Sequence, residues 1–519
     1  MSPKKMRLLN LSVLTLVLSA CGNRGLLTTV GPDYHPAPLL PAAADWQAPQ
    51  PGMDKPQLAH QGQQADLIRW WDGFQDPVLT RLLTAAEQES ASIADAAARI
   101  EEARANLVGA DADLLPALDS NIAIKRSSSS FGGAPFVWNQ FTLGLQSSWE
   151  IDLFGGLARE KEAARRQFES KNASWHDARV AVAVEVANAY LAYRYCESQV
   201  QIVQADTDSR RESARLSEIA GEAGFRAPGD VALANASAAE GNRTLLLQQA
   251  QCDRSIKSLV ALTALEEREV RQLLTGLPDR VAKLPNPPAF RIDSVPARVL
   301  LQRPDVAAAE RDVAEASATI GVQQAKRFPK LSLSGSITPT LQNINGASLL
   351  FAQTWAIGPT LSLPLFDAGK RAADVEVARA QYKAAASKFR SKVRTAVKEV
   401  EDTLVRLDSA SHRLPEGRKA VTGYRANFTA VRELYEVGLG NLIDVETARR
   451  NVLSAELALK ELEQEQVSAW IALYRAAGGS WQATETTQNG NAAVSTRPGG
   501  AANSSPLPTY HQTFTGGKS

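Results

Sequence analysis

Two stretches of this 519-residue chain repeat one another at a fixed offset. Gly-Phe-Arg-Ala-Pro-Gly-Asp-Val at 224–231 aligns with Gly-Leu-Gly-Asn-Leu-Ile-Asp-Val at 438–445. Upstream, Glu185-Val186 aligns with Glu399-Val400 in the same register. Leu153-Phe154 aligns with Leu365-Phe366, and Leu115-Pro116 with Phe328-Pro329, within a residue or two of it. So long a period reports a duplicated structural unit, and it limits the fold more than any composition does. Both halves read in one order: short helix, strand, loop, strand, long helix, turn, long helix. The chain divides into a leader at 1–20, an arm at 21–65, a first repeat at 66–275, a second at 276–481 and a tail at 482–519. The arm is rich in Pro, Ala and Gln and reads as extended. The tail is mostly Gly, Asn, Ser, Thr and Pro, too polar to bury a core, and reads as disordered.

The strands alternate. Phe141, Leu143, Leu145, Trp149, Ile151 and Leu153 point one way, and Thr142, Gln146, Ser148, Glu150 and Asp152 the other. The second half repeats this with Trp355, Ile357, Leu361, Leu363 and Leu365 against Thr354, Thr360 and Ser362. Leu118, Ile122 and Ile124, then Leu331, Leu333 and Ile337, supply partner strands. Such segments suit a membrane barrel with a wet lumen, and equally a half-buried soluble sheet. Beyond the leader no segment is apolar enough for a spanning helix, so any membrane crossing must be made by strands in a closed barrel. Four strands cannot enclose a pore, so a barrel would be shared between chains.

The helices are long. Residues from about 157 to 223 lack proline and are rich in Ala, Glu, Gln and Arg; such a helix reaches roughly 100 Å. Val375, Ala378, Tyr382, Ala385 and Phe389 step by three and four, as do Val445, Ala448, Val452, Ala455, Leu459 and Leu462 on the return arm. We read these as one coiled-coil seam with other faces left free for neighbouring chains.

At the N-terminus, Lys4, Lys5 and Arg7 precede a short apolar run, Leu8 to Leu18, too brief to span a bilayer. It ends in Leu18-Ser19-Ala20-Cys21, which resembles a bacterial lipobox. That resemblance implies an N-palmitoyl, S-diacylglycerol group on Cys21 and no other cofactor; Gly22 in place of Asp favours the outer membrane. The net charge of +1 gives no basic excess for nucleic acid. The five histidines are scattered without zinc-ligand spacing, and phosphate-loop and nucleophile-elbow motifs are missing. We expect no enzyme and no metal site.

Several further motifs occur in order. They are Val30-Gly31-Pro32-Asp33-Tyr34, Trp70-Trp71 with Phe74, Asp76-Pro77 and Leu79, and Trp149-Glu150-Ile151-Asp152-Leu153-Phe154-Gly155. Arg303-Pro304-Asp305 with Ala309-Glu310, and Pro364-Leu365-Phe366-Asp367-Ala368-Gly369, follow in the second half. With the duplication, these make the chain resemble a TolC-like outer-membrane factor, of the lipoprotein branch that serves tripartite efflux pumps. The resemblance covers nearly everything from Cys21 to about 480. It implies an α+β membrane protein: a homotrimer whose four strands per chain form a twelve-stranded outer-membrane β-barrel, continued by a twelve-helix periplasmic α-barrel. Closure by three copies would remove every open sheet edge. The implied function is a passive exit duct for drugs or other toxic small molecules. Its implied partners are a periplasmic adaptor (membrane fusion) protein, an inner-membrane resistance-nodulation-division transporter and outer-membrane lipid. The outlet of a protein-secretion or metal-efflux system, and a structural lipoprotein bridging the envelope, remain as alternatives.

The helix hairpins turn at about 221–230 and 436–444, where Gly224 and Gly438 permit the bend. Val437-Gly438-Leu439 resembles the family motif that meets the adaptor tip, and Ala223-Gly224-Phe225 is a looser copy. Asp230 and Asp444 sit at matching positions after the turns; in a threefold pore each would become a ring of carboxylates able to attract cations and constrict a channel. The family places equivalent aspartates at its constriction and has an upstream tyrosine, here Tyr435, hold the tip closed. The plainer reading makes both aspartates helix N-caps, and the two roles can coexist. The gate arginine of some members is replaced by Gly440, while Arg226 takes the matching place in the first turn. Finally, Cys196 and Cys252 lie nearly equidistant from the first turn, on opposite arms. In an oxidising compartment we expect a disulfide, contributing ~2–4 kcal/mol; two buried thiols are the alternative.

Overall fold

A computed structural model describes residues 25–36, 67, 69–130, 135–275, 284–288, 302–344 and 349–479. The leader, Cys21, most of the arm and the tail lie outside these residues. After a short 3-10 turn at Trp71–Phe74, the first repeat runs α1 (Pro77–Glu89), α2 (Ala91–Ala112), β1 (Ala117–Ser129) and β2 (Phe136–Ile151). It continues with α3 (Gly156–Glu222), α4 (Pro228–Thr263) and α5 (Glu267–Thr275). The second repeat runs α6 (Pro304–Ala325), β3 (Lys330–Ile344), β4 (Leu350–Ser362), α7 (Lys370–Glu436) and α8 (Leu442–Ala476). The helices α3 and α7 each have 67 residues, which at 1.5 Å per residue gives about 100 Å.

The four strands form one antiparallel sheet in the order β1-β2-β3-β4. Its register stacks like on like. Ile122 pairs with Leu143, Ile151 with Leu331, and Ile337 with Trp355. On the other face Glu150 pairs with Ser332, and Thr338 with Thr354. The apolar face has no cover among the described residues: Ile124 is 80% exposed and Trp355 72%. Among the described residues, the outer edges of β1 and β4 are unpaired. Such a sheet is incomplete alone, because bare edges and a bare apolar face both recruit partners.

Below the sheet the helices keep the strand order: α2 packs on α3, α3 on α6, and α6 on α7. This corrects the single seam expected for the second hairpin. Val375 and Phe389 belong to the upper half of α7, where Phe389 packs with Val306, Ala309 and Val313 of α6. The return helix α8 is half as long and pairs only with the lower half of α7. One periodic stripe thus serves two different neighbours.

The main core is a waist where the elements α1, α3, α4, α5, α7 and α8 meet around Leu82, Tyr190, Leu259, Val270, Leu404 and Tyr474. The Trp70 ring stacks on Tyr474 at 4.8 Å, and its indole N–H donates to the Pro288 carbonyl at 2.9 Å. Asp76 caps α1 by accepting from the Val78 and Leu79 amides. Its other oxygen accepts from the Tyr190 hydroxyl at 2.8 Å, so a buried carboxylate is satisfied rather than stranded.

Residues 25–36 lie along the strand-to-helix joint. Leu26 and Leu27 donate to the Asp152 and Leu153 carbonyls, and Val30 to that of Phe154. Arg159, almost fully buried, reaches Asp33 and Glu162, both at 2.6 Å. Tyr34 donates to Glu310 at 2.9 Å. Gly31 passes so close to α6 that a Cβ on it would stand 2.4 Å from the Cα of Gly321.

A candidate gate at the hairpin tips

The two hairpin turns close in the same way. The Phe225 amide bonds the Ala220 carbonyl and the Leu439 amide that of Leu434, with Gly224 at φ +75° and Gly438 at φ +80°. A left-handed residue followed by this wide backbone bond is the usual glycine stop of a helix. Phe225, Val437 and Leu439 consequently stand bare at the ends; Phe225 is 85% exposed.

Neither aspartate is an N-cap. The caps are Ala227 and Asn441, and Asp230 and Asp444 each sit three residues further on, in the first turn. Asn441 accepts from the Asp444 amide at 2.8 Å and donates to its carboxylate at 2.6 Å. The carboxylate of Asp444 is exposed and that of Asp230 half-exposed. Both stand at the positive end of a helix dipole.

The two tips touch each other. The guanidinium of Arg226 lies 4.0 Å from the centre of the Tyr435 ring, a cation–π contact. Leu442 is buried against Ala214 and Ala234 of the first hairpin. A Cβ at Gly440 would come 3.0 Å from the Tyr435 amide nitrogen. The first turn thus places Arg226 on the Tyr435 ring of the second hairpin.

Above the tip lies a cluster that sequence reasoning missed. Arg210 of α3 bonds Asp206 at 2.7 Å and Ser237 of α4 at 2.8 Å. Ser237 in turn donates to Glu446 of α8 at 2.8 Å. Glu446 pairs with Arg449, which reaches back to Ser213 of α3 at 2.8 Å. Arg210, Glu446 and Arg449 are all at least nine-tenths buried. Burial pulls the Arg449 guanidinium below the ordinary arginine value, and Glu446 and Asp206 act against that pull. Asp206 Oδ1 and Arg449 Nε are buried without a partner. One network of charges therefore ties the first hairpin to the return arm of the second. In sequence, Glu446 and Arg449 look like charges flanking a coiled-coil seam, and only the third helix makes them interior.

Cys196 and Cys252 face each other across α3 and α4, with sulfurs 2.05 Å and Cα atoms 5.4 Å apart. The second hairpin has no counterpart. Instead Pro415 lies inside α7, and an unfilled space of about 230 Å3 opens beside it, lined by Gly417, Tyr424, Ser454 and Leu459 among others.

Comparison with known proteins agrees with this architecture. The chain matches the model of the outer membrane efflux protein family over residues 82–265 and 295–479. It is 30% identical over 478 residues to nodulation protein T of Rhizobium leguminosarum bv. trifolii, covering 90% of this chain and 96% of that one. It is 27% identical to the solvent efflux pump outer membrane protein SrpC of Pseudomonas putida, covering 88% and 96%. Among solved structures, the outer-membrane channel OprN superposes with a TM-score of 0.75 at 27% identity, covering 87% of this chain and 99% of that one. Duplicated strands and hairpins, an incomplete four-stranded sheet and full-length matches lead to one assignment: the chain belongs to the outer membrane efflux protein family.

Proposed function

We propose that three copies close this sheet into a barrel in the outer membrane, and that the helices continue it as a passive exit duct for small toxic molecules. The observation that carries this reading is the sheet: apolar and bare on one face, polar on the other, open at both edges, and continuous with helices of 67 residues. Facing lipid outward and water inward is what that pattern suits. No helix among the described residues could cross a membrane instead. The relative SrpC is named for solvent efflux, which supports a small-molecule cargo. In this reading an acyl group on Cys21 anchors the arm. Phe225, Val437 and Leu439 meet a periplasmic adaptor, and an inner-membrane transporter supplies the energy, since the duct itself does no chemistry.

The gate of this duct would be the hairpin tips, with Asp230 and Asp444 as acidic rings and the Arg226–Tyr435 contact holding the hairpins together. Single-channel conductance in a planar bilayer tests it. Wild type should conduct little and prefer cations. Asp230→Ala and Asp444→Ala should lose that preference, and the double variant should lose more. A folded, membrane-inserted protein that never conducts would refute the duct. Conductance untouched by both substitutions would move the gate elsewhere.

A further inference from the structure

A cavity of about 430 Å3 lies at the joint between sheet and helices, a volume in the range of small-molecule sites. The strand ends give it Glu150, Lys330 and Ser362; below them stand Leu157 and Glu160 of α3, Val322 of α6 and Lys326 at the end of α6. Phe328 also lines it, 40% exposed, with its ring stacked on Phe154 at 4.7 Å. The cavity lies on the polar side of the sheet, where Glu150 pairs with Ser332 and Lys330 with Ser362. The arm crosses the same joint, and none of its described residues lines the cavity. In the duct proposed above, this is the wall that water and cargo pass.

Most of its charges are already engaged. Glu150 pairs with Lys330 at 2.5 Å, and Arg371, on the rim, with Asp367 at 2.9 Å. Asp152 accepts from the Ala158 amide at 2.8 Å. Two opposite charges are left over: among the described residues, Glu160 and Lys326 make no ion pair, and both are exposed. They stand too far apart to satisfy each other. A Cβ on Gly156 would meet that of Ala325, and one on Gly321 would meet the Arg159 side chain. Those two contacts fix the heights of the antiparallel helices: Lys326 is level with the very start of α3, and Glu160 is roughly 7–8 Å lower. Leu157 and Val322 fall between them.

A base, an apolar strip with an aromatic ring beside it, and an acid thus follow one another along one wall. We propose that this cavity is a resting site for cargo inside the duct, and that it takes planar aromatic zwitterions. The ligand's carboxylate meets Lys326, its protonated amine meets Glu160, and its ring system lies on Phe328 and the apolar strip. A ligand with one charge leaves the other group unmatched and binds more weakly. The inference rests on the duct reading above and names a cargo class for it.

The experiment uses the full-length protein in mild detergent, titrated into ciprofloxacin, a fluorescent planar zwitterion, and into its methyl ester, which keeps the amine and loses the carboxylate charge. Fluorescence anisotropy reads the binding. Glu160→Ala and Lys326→Ala should each weaken ciprofloxacin binding about three- to tenfold, as for a charge-assisted contact in a partly solvated site. Lys326→Ala should leave the ester's affinity unchanged, whereas Glu160→Ala should weaken the ester as well. A merely structural effect would move both ligands alike, and that result would overturn the assignment. Equal affinity in wild type and both variants would also overturn it, since the drug would then be entering the micelle. Bound drug should interrupt single-channel current in wild type and less often in either variant. Protein that binds in this pattern and never conducts would keep the site and sink the duct; conducting protein that binds neither ligand would do the reverse.

Discussion

Deleting one carboxylate should unfasten the tip. Glu446 joins α8 to the first hairpin through Arg449, Ser237 and Arg210. In Glu446→Ala, Arg449 keeps two serines and the Phe428 ring but no carboxylate within bonding distance, and Arg210 keeps Asp206 and Ser237. Two guanidinium groups, 3% and 8% exposed, then share a buried site with one carboxylate. Breaking a buried ion pair from one side costs about 3–5 kcal/mol. At about 1.4 kcal/mol per decade, that is roughly 10²- to 4 × 10³-fold in a local opening equilibrium. The cost falls on the contact between hairpins, because the waist core does not include these residues. Amide hydrogen exchange reads it. Protection across residues 442–452 should fall by that factor or to its local limit, while residues around Leu404 and Ile471 stay protected. The same variant should conduct more. The paired replacement Glu446→Leu with Arg449→Met should be milder than Glu446→Ala, since it removes a buried charge together with its partner. If the pair is worse than the single change, or if Glu446→Ala shifts exchange less than about threefold, the cluster is not the fastening argued above.

The other predictions are smaller. Arg226→Ala and Tyr435→Leu should each raise the open fraction about two- to fivefold and should not add in combination, as expected for one half-buried cation–π contact of about 0.5–1 kcal/mol; additive effects in single-channel records would mean the two act apart. A non-reducing peptide digest should recover Cys196 and Cys252 in one linked species; separate peptides would remove the disulfide. Burial and the nearby Asp305 hold the Asp177 carboxyl above its ordinary value of 3.8, against Arg475, Lys392 and Arg303. The folded state therefore binds that proton more tightly than the unfolded chain, so ionisation weakens the fold as pH rises through this range. Asp177→Asn should raise the unfolding temperature at pH 7, and the gain should fade on acidification and be gone below pH 3.8; an equal gain at both ends would refute the assignment.

What was legible in the sequence follows from locality. Gly224 and Gly438 mark the turns because a left-handed backbone is a local demand that glycine meets. The strands are legible because alternation records a sheet with one apolar face, whichever neighbour covers it. The height of Cys196 and Cys252 above the first turn is a matter of counting. Assignments that depend on a third element were not legible. The stripe from Val375 to Phe389 has the same spacing whether its partner is α6 or α8. Glu446 and Arg449 read as surface charges until α3 is laid over them. Asp230 and Asp444 follow turns as caps do, yet the caps are Ala227 and Asn441, because each helix starts three residues earlier than an aspartate cap would require.

The outer edges of β1 and β4, unpaired among the described residues, also have a genetic consequence. A ring of identical copies has no spare position, so one chain that joins it badly spoils the contribution of two sound ones. If sound and faulty chains are made in equal amounts and mix freely, only about one ring in eight is wholly sound. A defect confined to the tip, such as an altered gate, should therefore be dominant over a wild-type copy in the same cell. A defect that stops the chain from joining at all should be recessive. Dominance would thus sort, without any structure in hand, the substitutions that damage a finished ring from those that prevent a chain from entering one.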